Sequence, residues 1–152
     1  MCGGAQAQGL SASSEMDKYS LRILDANYNR AKEAIRVCED IARFFLKDAK
    51  LTSRLKRCRH EITQVILDFP VPYRELVAAR NNHEDVGRAS WIQDGKKRPG
   101  WKDLMAANLQ RSQEASRVLE ETAKAVAPRR AGQFQRIRFR LYELEKQSFR
   151  KF

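Results

Sequence analysis

From Leu21 onward, apolar residues recur at helical spacing. Leu21, Leu24, Ala31, Ala34, Cys38, Ile41 and Phe45 fall on one helical arc about 100° wide. Ser13 or Ser14 can cap this first helix, with Glu15 and Asp17 beside its positive end. A break is expected near Lys47–Lys50, because the apolar phase restarts at Leu51. Asp48 is placed to cap a second helix, whose face carries Leu51, Leu55, Cys58, Ile62, Ile66 and Leu67. Pro70 and Pro72 stop it, and Pro72 opens a short helix reaching about Arg80. Residues 81–100 show no period and read as a loop of about twenty residues, a length that is usually functional or disordered. Helical spacing returns at Trp101 with Leu104, Met105, Ala115, Leu119, Thr122 and Val126, and Pro128 ends it. A last helix starts near Gly132 and carries Phe134, Ile137, Leu141, Leu144 and Phe149. No segment sustains strand alternation, so the predicted class is all-α, an antiparallel helical bundle built from hairpins.

The bundle is predicted to be a duplication. Residues 26–42 read ANYNRAKEAIRVCEDIA and residues 107–123 read ANLQRSQEASRVLEETA. At a constant offset of 81, nine of these seventeen positions are identical, more than amphipathic bias alone gives. The helices that follow align more weakly at offset 82, pairing Arg54 with Arg136, Leu55 with Ile137, His60 with Tyr142, Glu61 with Glu143 and Ile62 with Leu144. A duplicated hairpin implies a four-helix core with a pseudo-two-fold axis. The domain reading is a disordered tail over 1–14 and a single helical domain over 15–152. Its halves span about 20–67 and 101–149, around a connector over 68–100.

Packing alone explains repeated apolar positions but not repeated polar ones. Asn27 lies within the apolar arc and Asn108 lies equivalently. A buried Asn needs hydrogen-bond partners or costs about 1–3 kcal/mol. Arg30 and Glu33 flank the same arc, as do Arg111 and Glu114, so six polar groups could converge if the copies pack together. Two readings follow. One is a structural network, with Arg–Glu pairs on helix edges and the Asn side chains bonded across the axis. The other is a polar site for an anionic ligand, with arginines as phosphate forks. Arg36, Glu39, Asp40 and Arg43 read as a solvated salt-bridge face.

Charge sharpens the second reading. Thirty Lys+Arg stand against 19 Asp+Glu, a net +11, which suits nucleic acid, an acidic membrane surface or phosphorylated small molecules. No apolar run is long enough to span a membrane. Cys2, Cys38 and Cys58 are odd in number and match no zinc spacing; Cys38 and Cys58 sit in apolar helical patterns as small hydrophobes. The first residues have no basic segment followed by an apolar one, so no secretory signal is read there and a reduced, cytoplasmic protein is expected. No GxxxxGK[ST] segment is present, which excludes a P-loop enzyme.

An ordered set of motifs carries a resemblance. It runs ANxxRxxEAxRVxEDxARF, then Arg59-His60, then AARxxxxDVG (Ala78–Gly87), then ANxxRxxEAxRxLEE, then RxxLYxLEK ending near Lys146. Over about residues 20–147 it resembles the helical domain at the N-terminus of certain bacterial thiamine-phosphate synthases. That resemblance implies a kinase that converts 4-amino-5-hydroxymethyl-2-methylpyrimidine phosphate to the diphosphate, with ATP and Mg²⁺ implied by the resemblance and not by a motif. In fused members a TIM-barrel synthase follows. Here the sequence stops at Phe152 and is too short for a (β/α)₈ fold, so a stand-alone domain is expected, with a separate thiamine-phosphate synthase as one partner. Where the family often shows RDTPxDVGT, this chain has RNNHEDVGR. Arg80, Asp85, Val86 and Gly87 match, while Asn81, Asn82, His83 and Arg88 depart.

The candidate residues follow from what phosphoryl transfer needs, namely positioning, cations and Mg²⁺. Arg30, Arg80 and Arg111 are candidates to hold phosphates. Asp85, Glu33 and Glu114 are the catalytic candidates, for Mg²⁺ (Asp85 first) or for hydrogen bonds to an aminopyrimidine. Asn27 and Asn108 can read ring donors and acceptors, Gly87 can let backbone N–H groups approach an anion, and His60 joins the binding set. The expected partners are a phosphorylated pyrimidine and a nucleotide. A homodimer could complete a site across its axis. Two competitors stand beside this: a basic nucleic-acid binder, disfavoured because no reading motif appears, and a non-catalytic helical domain that binds a ligand or docks on a synthase.

Overall fold

A computed structural model of the chain describes residues 16–88 and 97–152. The expected tail over 1–14 and the centre of the 81–100 loop lie outside the described residues. Five α-helices run α1 Lys18–Asp40, α2 Ala49–Leu67, α3 Tyr73–Ala78, α4 Trp101–Val126 and α5 Pro128–Phe149, with a π-turn at Ile41–Phe45 closing α1. The described residues contain no strand, and none of their helices is long and apolar enough to cross a membrane.

Local chemistry sets the helix ends. Asp17, not a serine, caps α1, accepting from the Tyr19 and Ser20 amides at 2.9 and 3.0 Å. Asp48 caps α2 as expected, accepting from the Leu51 amide at 2.9 Å. The break between them falls at residues 46–48, where Lys47 has φ 52°. Pro128 does not merely end α4. It occupies the first position of α5, so α5 starts four residues before the expected Gly132.

The four long helices pack in a ring, α2 on α1, α1 on α4, α4 on α5 and α5 back on α2. The core is a single cluster that includes Leu24, Ile35, Leu55, Ile62, Leu109, Leu119, Phe134 and Leu141. Each such side chain contributes about 1.5–3 kcal/mol by leaving water. Three expected core residues are exposed instead. Phe45 is rotated off the face by the wider π-turn and lies against Trp101 and Phe152, with ring centroids 5.5 and 6.1 Å away. Leu67 and Phe149 sit one residue past Ile66 and Ser148, which hold the inward phase.

The duplication is real in three dimensions, and its register differs from the expected one in the second helix of each half. α1 and α4 run antiparallel, with Cys38 Sγ 3.7 Å from the Met105 carbonyl oxygen. This register puts the pseudo-axis at the equivalent residues Ala31 and Ser112, both fully buried and small enough for close helix approach. Between α2 and α5 the buried positions correspond at offset 79, not 82: Leu55 with Phe134, Cys58 with Ile137, Ile62 with Leu141 and Val65 with Leu144. The change from 81 to 79 has a simple source. Residues 46–48 separate the first pair of helices, and Ala127 alone separates the second.

Offset 79 also aligns two ion-pair networks. Glu39 is buried and meets Arg59 of α2 at 2.9 Å, and Glu120 is buried and meets Arg138 of α5 at 2.9 Å. On the outer edge Arg36 reaches Glu39 and Asp40, as Arg117 reaches Glu120 and Glu121. The expected solvated face is therefore solvated only at its rim, because Glu39 faces a neighbouring helix.

The connector is fixed to α1. Phe69 packs on Phe134 at 6.1 Å, Leu76 of α3 is buried, and the Tyr73 ring stands edge-on to Tyr28 at 6.1 Å. These contacts deliver Arg80 to the side of α1.

Candidate functional site

A cavity of about 360 Å³ lies between the N-terminal half of α1 and residues 80–85. Helix α1 supplies Tyr19, Arg22, Ile23, Asp25, Ala26, Asn27 and Arg30, one flank of the helix over three turns. The connector supplies Arg80, Asn81, Asn82 and Asp85.

One ion pair builds the cavity. Arg80 Nε donates to Asp25 Oδ2 at 2.7 Å and its Nη2 donates to Asp25 Oδ1 at 2.9 Å, a two-point clamp. Asp25 is 4 % exposed, so its charge needs this partner; Asn29 Nδ2 adds a contact at 3.2 Å. Donating to the Asp25 carboxylate pushes the Arg80 guanidinium pKa up, which keeps it charged. Arg22 Nη2 pins the next residue, donating to the Asn81 carbonyl oxygen at 3.0 Å. Asn81 then closes a local turn, its Oδ1 accepting from the Glu84 amide and its Nδ2 donating to Glu84 Oε2.

The remaining lining groups offer useful chemistry to the cavity. Arg30 has no ion pair among the described residues, and it lines the cavity with an exposed guanidinium. Tyr19 is 63 % exposed and Lys18 Nζ lies over its ring, 5.1 Å from the centroid, so a flat ring that stacks there meets that cation as well. Asn82 adds an amide. Asp85 accepts the Gly87 amide at 2.9 Å through Oδ1 and is the one carboxylate lining the cavity that no guanidinium holds.

The structure thus gathers Asn27, Arg30, Arg80 and Asp85 at one cavity, and the other candidates do not line it. Glu33 is exposed on α1 and does not line the cavity. His60 is exposed on α2, and the Gly87 amide is engaged by Asp85. Asn108, Arg111 and Glu114 lie on α4. Antiparallel packing puts Asn108 about 12 Å from Asn27 along the helices, so the two asparagines do not converge, whereas Arg30 and Arg111 flank the pseudo-axis about 3 Å apart in that direction. Nor do the two Asn side chains bond each other. Asn27 Nδ2 donates to the Ile23 carbonyl and Asn108 Nδ2 to the Leu104 carbonyl, each at 2.9 Å within its own helix.

Tyr19, Arg22, Asp25, Asn81 and Asn82 were not among the sequence candidates. Asp25 had a signal: it is a carboxylate in a buried helical phase, and its counterpart at offset 81 is Ala106. The duplicated halves differ where the cavity is built.

A Mg²⁺ that arrives on substrate phosphates needs only one or two protein carboxylates, and Asp85 can be one. A cage made by protein groups alone is a different matter. No group of three His, Cys, Asp or Glu among the described residues could form it.

Comparison with known proteins adds a family to this geometry. The chain is 38% identical over 124 residues to the thiamine-phosphate synthase of Nostoc punctiforme, covering 82% of this chain and 34% of that one. It is 37% identical over 122 residues to that of Rhodopirellula baltica (80% and 32%) and 36% over 138 residues to that of Thermosynechococcus vestitus (91% and 37%). The chain spans about a third of the length of the curated relatives it matches. No solved structure matches it significantly. Residues 22–147 match the ThiD2 family and contain the repeated helices, the ion-pair networks and all of the cavity except Tyr19: the chain belongs to the ThiD2 family.

Proposed function

We propose that the chain acts in thiamine biosynthesis by phosphorylating 4-amino-5-hydroxymethyl-2-methylpyrimidine phosphate to the diphosphate with ATP. Family membership and the thiamine-phosphate synthase relatives support the pathway. The observation that carries the reaction is the cavity on α1, where Arg22, Arg30 and Arg80 stand beside the exposed Tyr19 and three amides. Guanidinium forks suit phosphate oxygens, and an aromatic ring with amides suits an aminopyrimidine.

The nucleophile in this reaction is a phosphate oxygen of the substrate, which forms a bond to the γ-phosphorus of ATP as the β,γ-bridging P–O bond breaks and ADP leaves. A phosphate monoester has its second pKa near 6, so that oxygen is ionised at neutral pH without a protein base. Catalysis then reduces to alignment and to screening of like charges as two phosphates approach. Arg30 and Arg22 hold the acceptor phosphate, and Arg80, fixed by Asp25, supplies its remaining N–H groups to the transferred one. Asn81 and Asn82 orient the pyrimidine, and Asp85 faces the metal-bearing phosphates. Mg²⁺ bound to the nucleotide would neutralise charge on the transferred group.

The test is incubation of the folded protein with the pyrimidine phosphate, ATP and Mg²⁺, followed by separation of products. Diphosphate formation is expected, and Arg30→Ala should lower it at least tenfold with helicity unchanged. Absence of product from folded protein would reject the kinase. A second reading then stands, favoured by the synthase relatives: a helical domain that docks on a thiamine-phosphate synthase, tested by co-elution of the two on size exclusion.

A further inference from the structure

The basic surplus of the chain has a second focus, far from the cavity on α1. The first turn of α2 meets the last turn of α5 around a cavity of about 410 Å³. Measured along α1 and the π-turn, it lies roughly 30 Å from the first cavity. Lys50, Arg54, Arg150 and Lys151 line it, against a single carboxylate, Asp48. That carboxylate is already engaged, accepting the Leu51 amide at 2.9 Å and the Lys151 ammonium at 2.9 Å. Gln147 orients Arg54 by accepting from its Nη1, and Gln147 is itself held by donating to Glu143 at 3.1 Å. Lys50 and Arg150 form no ion pair among the described residues.

We propose that this cavity is a second anion site, for a compact molecule bearing two linked phosphates. The lining carries four positive charges and one negative, a net +3. A single phosphate monoester carries at most about −2 and leaves charge unmatched, whereas a diphosphate matches it. Arg54 and Arg150 offer planar forks for bidentate contacts, and the two lysines add mobile point charges. The surface is a half-open concavity between two helix ends, which suits a compact anion better than a flat bilayer. A ligand here is too distant to take part in transfer at the first cavity of the same chain. The site therefore acts separately, as a place where phosphate compounds are retained or sensed.

Nucleic acid and anionic lipid present the same phosphate chemistry, so the experiment separates the sources. Inorganic diphosphate is titrated calorimetrically into the full chain and into Arg30→Ala, which disables the first cavity. One saturable site is expected to persist in Arg30→Ala. It should weaken at least tenfold in Lys50→Glu/Arg150→Glu, and two- to fivefold in the milder Lys50→Gln. Lys56→Glu/Arg57→Glu alters the net charge equally at exposed positions outside the cavity and should leave affinity within twofold. No saturable binding, an equal loss in both double variants, or loss in Arg30→Ala alone would overturn the proposal. So would binding seen only with duplex DNA or with phosphatidylserine vesicles.

Discussion

Arg80 closes on Asp25 across 55 residues of sequence, with Nε 2.7 Å from Oδ2 and Nη2 2.9 Å from Oδ1. The clamp joins a buried carboxylate of α1 to the first residue of the loop that walls the cavity. Removing the arginine leaves that carboxylate without a charged partner and with only the Asn29 amide at 3.2 Å. Arg80→Ala is expected to cost about 2 kcal/mol, below the 3–5 kcal/mol or so of a fully buried pair, because the Arg80 side chain is 41% exposed. Adding Asp25→Asn to Arg80→Ala should recover part of the loss, since the stranded charge is gone. Urea unfolding of the four proteins in the cycle reads the coupling. Independent, additive losses would show that the two residues do not act as a pair.

The two buried glutamates should differ in weight. Glu120 and Arg138 are more deeply buried than Glu39 and Arg59. Glu120→Ala should therefore destabilise by about 3–5 kcal/mol, as expected for a stranded buried guanidinium. Glu39→Ala should cost less. Guanidinium chloride midpoints measure both, and a larger loss at Glu39 would contradict the burial order.

The thiols give a probe of packing. Burial pushes the Cys38 thiol up to about 12 and the Cys58 thiol up to about 11, so neither forms thiolate near neutrality. In a Cys2→Ser background at pH 8, an aromatic disulfide reagent should label no thiol in the native protein and two on unfolding. Rapid native labelling at Cys38 would show that the α1–α4 contact opens locally.

Asp48 gives a pH dependence of known sign. The Leu51 amide, with Lys151 second, holds its carboxyl below the usual 3.8. A carboxyl lowered in the folded state stabilises fully above that ordinary value, and this contribution is lost as pH falls through the lowered one. Asp48→Asn keeps the cap and removes the titration. The wild type should exceed Asp48→Asn in thermal midpoint at pH 6, and the difference should shrink between about pH 4 and pH 2. A difference that does not change with pH would assign the effect to the cap alone.

Much of the fold was legible because helix formation and duplication are written locally. The 81-residue offset is carried by the polar identities of α1 and α4, and it survives in space as matched back-bonds from Asn27 and Asn108 and matched pairs at Glu39 and Glu120. The second offset is 79 in space against the expected 82, a difference of three residues, close to one helical turn. A shift of that size nearly preserves an apolar stripe, so periodicity alone cannot fix the register. Phe45 was misplaced for a related reason. A π-turn changes the angle per residue, and nothing in the apolar pattern announced it.

The helical class, the doubled hairpin and the set of arginines and amides available for chemistry are local properties of the chain. These follow from spacing and composition, which act over a few residues. Tertiary structure alone decided which of them meet. Antiparallel packing of α1 on α4 sets the repeated asparagines about 12 Å apart along the helices instead of joining them. The docking of Tyr73 and Leu76 on α1 carries Arg80 to Asp25, so that one half of a near-symmetric molecule holds the cavity. That outcome depends on contacts between residues far apart in the chain, and on Asp25 standing where the other half has Ala106.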